Sequence, residues 1–543
     1  MEVLQHDASH SAPPPANTGA AIGPGATPVR EFPNPESGPG TAGGDNAVPR
    51  GVWPVAVVIV VGAFMTQLDA ALVNIALARV ARSLHAGLAD TQWIVSGYLL
   101  ALVAGLPLCG WAASRIGAGR LWLASLAGFT VASGLCALST DLAFLVGSRV
   151  LQGLAAGLLL PAGQTVIAQV AGRRHLGRVM STVGTPLVLG PALGPVLGGA
   201  MISVASWQWL FLVNLPVGVA GLWLGRRLIP RDRPGPARTL DLPGFGLVAV
   251  GLVALTYAVS RVGEGRLGEI APWTAIGALA LMVFTVRCLR RATPLVDLRL
   301  LGDRGFAASA LISFLAGAVQ IGALAVLALH FQLVRGYGVV ASGLAMGGFA
   351  LGAAVLPAAG RLTDRFGGGQ VVTAGSLLGV AAFVPLALLP NSAGLLTVEL
   401  LMVGFGVSNA LSVVPASTAA YLRVPGPKMP DAVTSINIVL RLGGAVGTAL
   451  VVSFLGNHPT SQSAAEHGFH AAFWSLAALS AVCVPPALVL RRVTRNEGRD
   501  GRREAASGRH GPGAASPHAP STSPPGDLST PESRTPAKAL EPR

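Results

Sequence analysis

Most ionisable residues of this 543-residue chain sit in short clusters, so the few that stand alone inside apolar runs are the candidates for chemistry. Asp69 lies in the run 52–77, Arg149 in 142–170 and Arg441 in 432–456. A charge in hydrocarbon is costly, and a charge kept there marks a functional site by default. At 1.5 Å rise per residue, Asp69 lies about 24 Å into the first run, and Arg149 about 10 Å into its own from the opposite side. The depths nearly match. They predict one polar cluster, with Asp69 and Arg149 paired directly or bridged by Gln152 or water. Burial disfavours the charged carboxylate and a neighbouring cation favours it. A carboxyl balanced between the two can exchange a proton as water access changes. The competing reading is a static ion pair that fixes helix packing.

Other polar residues carry less. Asn74, five residues after Asp69, faces partly away from it and reads as an interhelical hydrogen-bonding group. Arg441 has three open readings: capping backbone carbonyls, facing a cavity, or reaching lipid headgroups. His330 and Gln332 read as interfacial, and Glu399 lies near an outer face. Cys109, Cys136, Cys288 and Cys483 lie far apart in or beside apolar runs and read as packing residues. No metal-ligand spacing is visible, and no cofactor is expected.

The elements that must position these residues are membrane spans. Hydrophobic residues make up 52% of the chain and charged residues 11%, with a mean hydropathy of +0.60. A soluble domain carries roughly 25% charged residues. Lipid must therefore solvate most of this chain. A spanning helix needs roughly 20 mostly apolar residues. By that measure 52–77, 91–111, 121–139 and 142–170 are the first four spans. The uncharged run 179–225 is too long for one span and divides at 206–209 into the fifth and sixth. The remaining eight are 242–260, 270–286, 306–334, 336–360, 371–389, 395–421, 432–456 and 469–490. The expected fold class is an all-α integral membrane protein with fourteen transmembrane helices. Plentiful Gly and Pro inside the spans suit helices that bend and approach closely.

Net charge is +14. Its arginines cluster in every second loop, with mild exceptions after the first and seventh spans, and this places both termini in the cytoplasm. The same distribution argues against nucleic acid as the partner. Residues 1–50 and 494–543 are rich in Pro, Gly, Ala and Ser or in charge, and read as disordered cytoplasmic tails.

Several motifs then resemble one family. Leu68-Asp69-Ala70-Ala71-Leu72-Val73-Asn74-Ile75-Ala76-Leu77 is similar to a first-helix pattern LDxTxVNxAL, with Ala71 where Thr is usual. Arg149-Val150-Leu151-Gln152-Gly153 matches RxxQG. Gly190-Pro191-Ala192-Leu193-Gly194-Pro195-Val196-Leu197-Gly198-Gly199 is close to GPxxGPxxGG, the most specific of the set. Trp207-Gln208-Trp209 with Asn214-Leu215-Pro216, and Arg441-Leu442-Gly443-Gly444, also fit. The loop after the second span holds Gly110, Ser114, Arg115 and Gly117 of a GxLxDRxGR pattern, with Ser114 where Asp is expected. The loop after the tenth holds a related copy, Gly360, Asp364, Arg365 and Gly367. Together these resemble the major facilitator superfamily, and more narrowly its 14-helix drug:proton antiporters of the EmrB/QacA type.

The resemblance implies a major facilitator fold. The two copied loops imply six-helix bundles over 51–229 and 305–493, with two inserted helices and their loops over 230–304. It also implies a multi-pass protein of the bacterial plasma (inner) membrane. Its partners would be protons, a small-molecule substrate and the lipid bilayer. Asp69 and Arg149 would carry proton coupling. Asn74, Gln152, Arg441 and the run 190–199 would line or gate the cavity, the Gly-Pro steps kinking a helix and bringing the two halves close. The two loop copies would form cytoplasmic gates, with the ion pair of the first copy in doubt because Ser114 cannot form one. A dedicated exporter or importer of one metabolite, and a non-transporting membrane sensor, remain as alternatives. No acid pair, metal cluster or nucleophile triad suggests an enzyme.

Overall fold

A computed structural model describes residues 48–230, 239–260, 267–291, 294–390, 394–455 and 462–507; the readings of 1–47 and 508–543 as tails lie outside these residues. In hydrocarbon every backbone N–H and C=O must be paired within its own segment, so long apolar runs fold as helices. All regular structure among the described residues is helical.

The amino-terminal helices are α1 (Val52–Ser83), α2 (Leu88–Thr91), α3 (Trp93–Gly105), α4 (Leu108–Ile116), α5 (Ala118–Ala137), α6 (Leu142–Val204), α7 (Trp209–Leu212) and α8 (Asn214–Leu228). Next come α9 (Leu242–Ser260) and α10 (Leu267–Arg290). The carboxy-terminal set is α11 (Arg304–Leu333), α12 (Val339–Leu344), α13 (Gly347–Ala353), α14 (Leu356–Phe366), α15 (Gly368–Leu388), α16 (Leu395–Tyr421), α17 (Met429–Leu455), α18 (Gln462–Val482) and α19 (Val484–Ser507).

Packing repeats between the two sets. In the first, α6 packs on α1, α3 and α5, and α5 on α8; in the second, α11 packs on α17, α16 on α13 and α15, and α15 on α18. Counting spans from each start, these are the same pairings, as duplicated bundles require. The inserted helices pack on each other, and α9 also packs on α3 and α17, touching both bundles. Leu279, Met282 and Leu289 of α10 stay exposed, which suits a lipid-facing helix.

Eleven helices among the described residues are long and apolar enough to cross a membrane, or twelve with the bent pair α3–α4 taken as one span. Fourteen is consistent with this if α6 is two spans and the shorter α9 is another. The 63-residue α6 breaks at Gly172, whose backbone (φ 64°, ψ 170°) is not helical.

Several spans read as single helices are broken. The second bends by 56° between α3 and α4, at Leu106-Pro107. The tenth is three pieces, α12 to α14, and the fourteenth is interrupted at Cys483. Hydropathy registers only apolarity, so it passes over such breaks. One compact unit ends at Thr494 and a second begins at Arg495. α19 runs on to Ser507, into the stretch expected as a tail from 494.

Candidate functional site

The carboxylate of Asp69, on α1, accepts from Arg149 Nη1 at 2.5 Å, Asn214 Nδ2 at 2.8 Å and Gln152 Nε2 at 3.1 Å. Arg149 Nη1 also donates to Gln152 Oε1 at 2.6 Å, and its Nε donates to the Ile94 carbonyl at 3.2 Å. Ser133 Oγ accepts from Gln152 at 2.6 Å and from Asn214 at 3.2 Å. Asp69, Arg149, Gln152 and Ser133 have no solvent exposure. The guanidinium lies 4.1 Å from the Tyr98 ring centroid and 5.7 Å from that of Phe211. Leu72, Val73, Ile94, Leu145 and Leu210 surround the cluster as apolar core. Arg149 and Gln152 are three apart on α6, so helical spacing aims both at α1.

The structure thus brings Asp69, Arg149 and Gln152 into one network inside the amino-terminal bundle. Sequence reasoning missed Ser133, Asn214 and Tyr98 as its members. Asn214 stood out only as part of a motif, and it reaches Asp69 across 145 residues of chain. The side chain of Asn74 lies outside what the structure describes.

A separate cavity of about 520 Å³ lies between the bundles. It is lined by α1, α6, α11, α12, α14, α16 and α17, together with Met346 and Phe349 at the start of α13. Gln67 reaches it, whereas Asp69, two residues on, does not; neighbours two apart on a helix face different ways. Arg441 lines it, which selects one of its three readings. Gln332 lines it as well, whereas His330 is buried against Phe469 and Phe473 of α18. The two residues, two apart on α11, face different ways, His330 toward α18 and Gln332 toward the cavity.

Part of the Gly-Pro run is described. Residues 190–199 remain within α6, whose one residue of non-helical backbone is Gly172. Gly194 abuts Ala71 of α1, so its close approach is within one bundle and not across the two. Gly198 is buried. Gly190, Pro191, Pro195 and Gly199 are helical in backbone, and their surroundings lie outside the description.

The two loop copies sit where the bundles meet. Gly117 (φ 90°) and Gly367 (φ 85°) adopt the same backbone at the same motif position, one that favours glycine. Asp364 Oδ2 accepts from the backbone N–H of Arg178 on α6 at 3.2 Å, and Gly360 packs on Ser181. In the first copy Ser114 donates to the Trp111 carbonyl at 2.8 Å, within its own helix. Gly110 instead faces Asp431 and Thr434 of α17; a Cβ there would lie 2.9 Å from Asp431 Oδ1. The acid at this junction therefore stands on the opposite bundle. Arg115 and Arg365 stack on their neighbours Trp111 and Phe366. Arg173 donates to the Leu422 carbonyl, adding a further contact between the bundles.

Charge ties the inserted helices to each other and their following loop to the start of α17. Asp241 binds Arg287 and Arg291, each at 2.8 Å, and Asp297 binds Lys428 at 2.9 Å. The hydrogen bond from Arg287 holds the Asp241 carboxyl below the usual carboxylate range. Among the described residues no group of acids, histidines and cysteines could hold a metal ion.

A family model described as Major Facilitator Superfamily matches residues 59–448. The chain is 33% identical to a multidrug resistance protein B homolog of Mycobacterium tuberculosis (strain CDC 1551 / Oshkosh) over 412 residues, covering 74% of this chain and 76% of the relative. It is 31% identical to a putative multidrug resistance protein, MdtD, of Salmonella heidelberg (strain SL476), covering 80% of this chain and 94% of the relative. Among solved structures it is similar to the proton:xylose symporter XylE (TM-score 0.57, 14% identity, 80% of this chain and 94% of that one). It is also similar to the human organic anion transporter MFSD10 (TM-score 0.55, 17% identity, 81% and 99%).

Proposed function

This chain belongs to the major facilitator superfamily, and from that premise we propose that it exports drug-like small molecules across a bacterial plasma membrane in exchange for protons. The observation that carries the reading is the buried Asp69 network: an acid with no solvent exposure, held by one cation and two amides beside a large central cavity. The relatives named as multidrug resistance proteins support export of drugs. In this reading the chain is a transporter and not an enzyme, with both termini in the cytoplasm.

Coupling follows from hydrogen-bond chemistry. An ionised Asp69 accepts three bonds, and Arg149 is its counter-charge. Protonation turns the carboxyl into a donor and leaves Arg149 without its anion. A buried cation stripped of its partner is strongly unfavourable. The network must then open, and it ties α1 to α5, α6 and α8, so opening shifts helices against each other. Gln67 joins that motion to the cavity through α1. The bundles rock about the cavity, open to one side at a time. In this reading the packing of α4 on α17 and of α14 on α6 forms the cytoplasmic gate.

The test is transport in proteoliposomes loaded with a panel of lipophilic drugs. A proton gradient directed against drug movement should drive concentrative export, and collapsing it with an ionophore should abolish accumulation. Asp69→Asn should lose the gradient dependence. Accumulation that ignores the gradient in the parent protein would overturn the reading.

A further inference from the structure

The charges around the central cavity point to the chemistry of its occupant. Of the side chains lining it, Arg441 alone carries a charge; no Asp or Glu is among the described lining residues. The amides around it are largely satisfied by one another. Asn437 donates to Gln164 at 2.7 Å, and Gln320 donates to Asn409 at 3.3 Å. Arg441 differs: among the described residues it makes no hydrogen bond, ion pair or ring contact, although it stands at the cavity wall in the middle of α17. Two acids within the helices are engaged elsewhere. Asp69 is closed within its own network, and Glu399 accepts from the Gly348 N–H at 2.7 Å.

A lone guanidinium in a low-dielectric cleft focuses a positive potential into it. That potential attracts an anion and repels a cation. Guanidinium presents a planar fork of donors that a carboxylate or sulfonate matches with two parallel bonds. Between these neutral amides the wall is aliphatic, with Leu160, Val183, Ile321, Leu324, Val413 and Leu440. A volume of about 520 Å³ accommodates a drug-sized body. We infer that the transported molecule is an amphipathic organic anion: one acidic group seated on Arg441, and an apolar scaffold against the aliphatic wall. This rests on reading the cavity as the transport path, but not on the direction or the proton coupling of transport.

Three probes of one shape and different charge test it: radiolabelled naphthylacetate, naphthylacetamide and naphthylethylammonium. Binding to the purified protein is measured at fixed pH with no gradient, so a failure of proton antiport leaves this test intact. In the parent protein the carboxylate should bind roughly tenfold or more tightly than the amide, as a charged hydrogen bond is worth, and the ammonium should bind weakest. Arg441→Gln should erase the preference while keeping affinity for the amide, and Arg441→Lys should keep part of it. The comparison within the parent needs no variant to fold. Equal binding of all three probes, preference for the ammonium, or an Arg441→Gln protein that still selects the carboxylate would overturn the inference.

Discussion

Asp69 and Arg149 form a buried pair whose surroundings leave little room for a missing partner. Removing one member of such a pair costs about 3–5 kcal/mol, whereas replacing both with apolar groups of similar volume is often neutral. Arg149→Met should therefore lower the thermal stability of the detergent-solubilised protein sharply, and Asp69→Leu added to it should restore most of the loss. A single variant as stable as the parent would mean that the pair does not hold the bundle. Asn214→Ala should weaken the network less, by about 1–3 kcal/mol, because it leaves one acceptor bond of Asp69 unmade in apolar surroundings. At this scale the sequence was informative about charge and poor about neutral partners. Asp69 and Arg149 are conspicuous in hydrocarbon. Ser133 and Asn214 are polar residues of a common kind within spans, and only the tertiary fold turns them toward the carboxylate.

Helix ends and breaks set the geometry of the junctions. At Gly117 and Gly367 any side chain is strained by the positive φ, so Gly117→Ala and Gly367→Ala should each cost about 1–3 kcal/mol in melting experiments. Gly147→Ala, inside α6 where an added Cβ meets nothing within 4 Å, should be neutral or stabilising. Equal effects at all three would remove the backbone argument. The inserted pair offers a pH-dependent element. Because Arg287 holds Asp241 below the ordinary carboxylate range, the clamp is complete at neutral pH and above the pH where a free carboxyl ionises. It is lost only as pH falls through the lowered value. The melting advantage of the parent over Asp241→Asn should thus be largest near neutrality and vanish in acid. A gap that stays constant would show that Asp241 does not stabilise the fold through its charge. Apolar run length revealed where these elements lie. It could not reveal the bend at Leu106-Pro107, which lies in apolar sequence that satisfies hydropathy either way, whereas the break at Gly172 falls in the charged gap between the fourth span and the run 179–225.

Two bundles with repeated packing, joined by α9 at one flank and by the loop copies at the basic end, frame the central cavity. The duplication was legible from Gly110–Gly117 and Gly360–Gly367 alone, whereas the shift of an acid to Asp431 on the facing bundle was not, since no local pattern pairs those residues. Gly360→Cys with Ser181→Cys places two thiols across the junction; a Cβ at 360 would lie 2.8 Å from that of Ser181, so the two helices must part by about 1 Å to reach the spacing of a disulfide. The four native cysteines are buried, so oxidation should link the new pair. The linked protein should bind substrate yet fail to transport it until reduced; unimpaired transport would mean that this junction need not open. The central claim is that Asp69 exchanges its proton against substrate. Lightly buffered, purified protein with a pH-indicating dye measures this directly. Addition of a transported molecule should release protons from the parent protein and none from Asp69→Asn. Equal release from both would contradict the account.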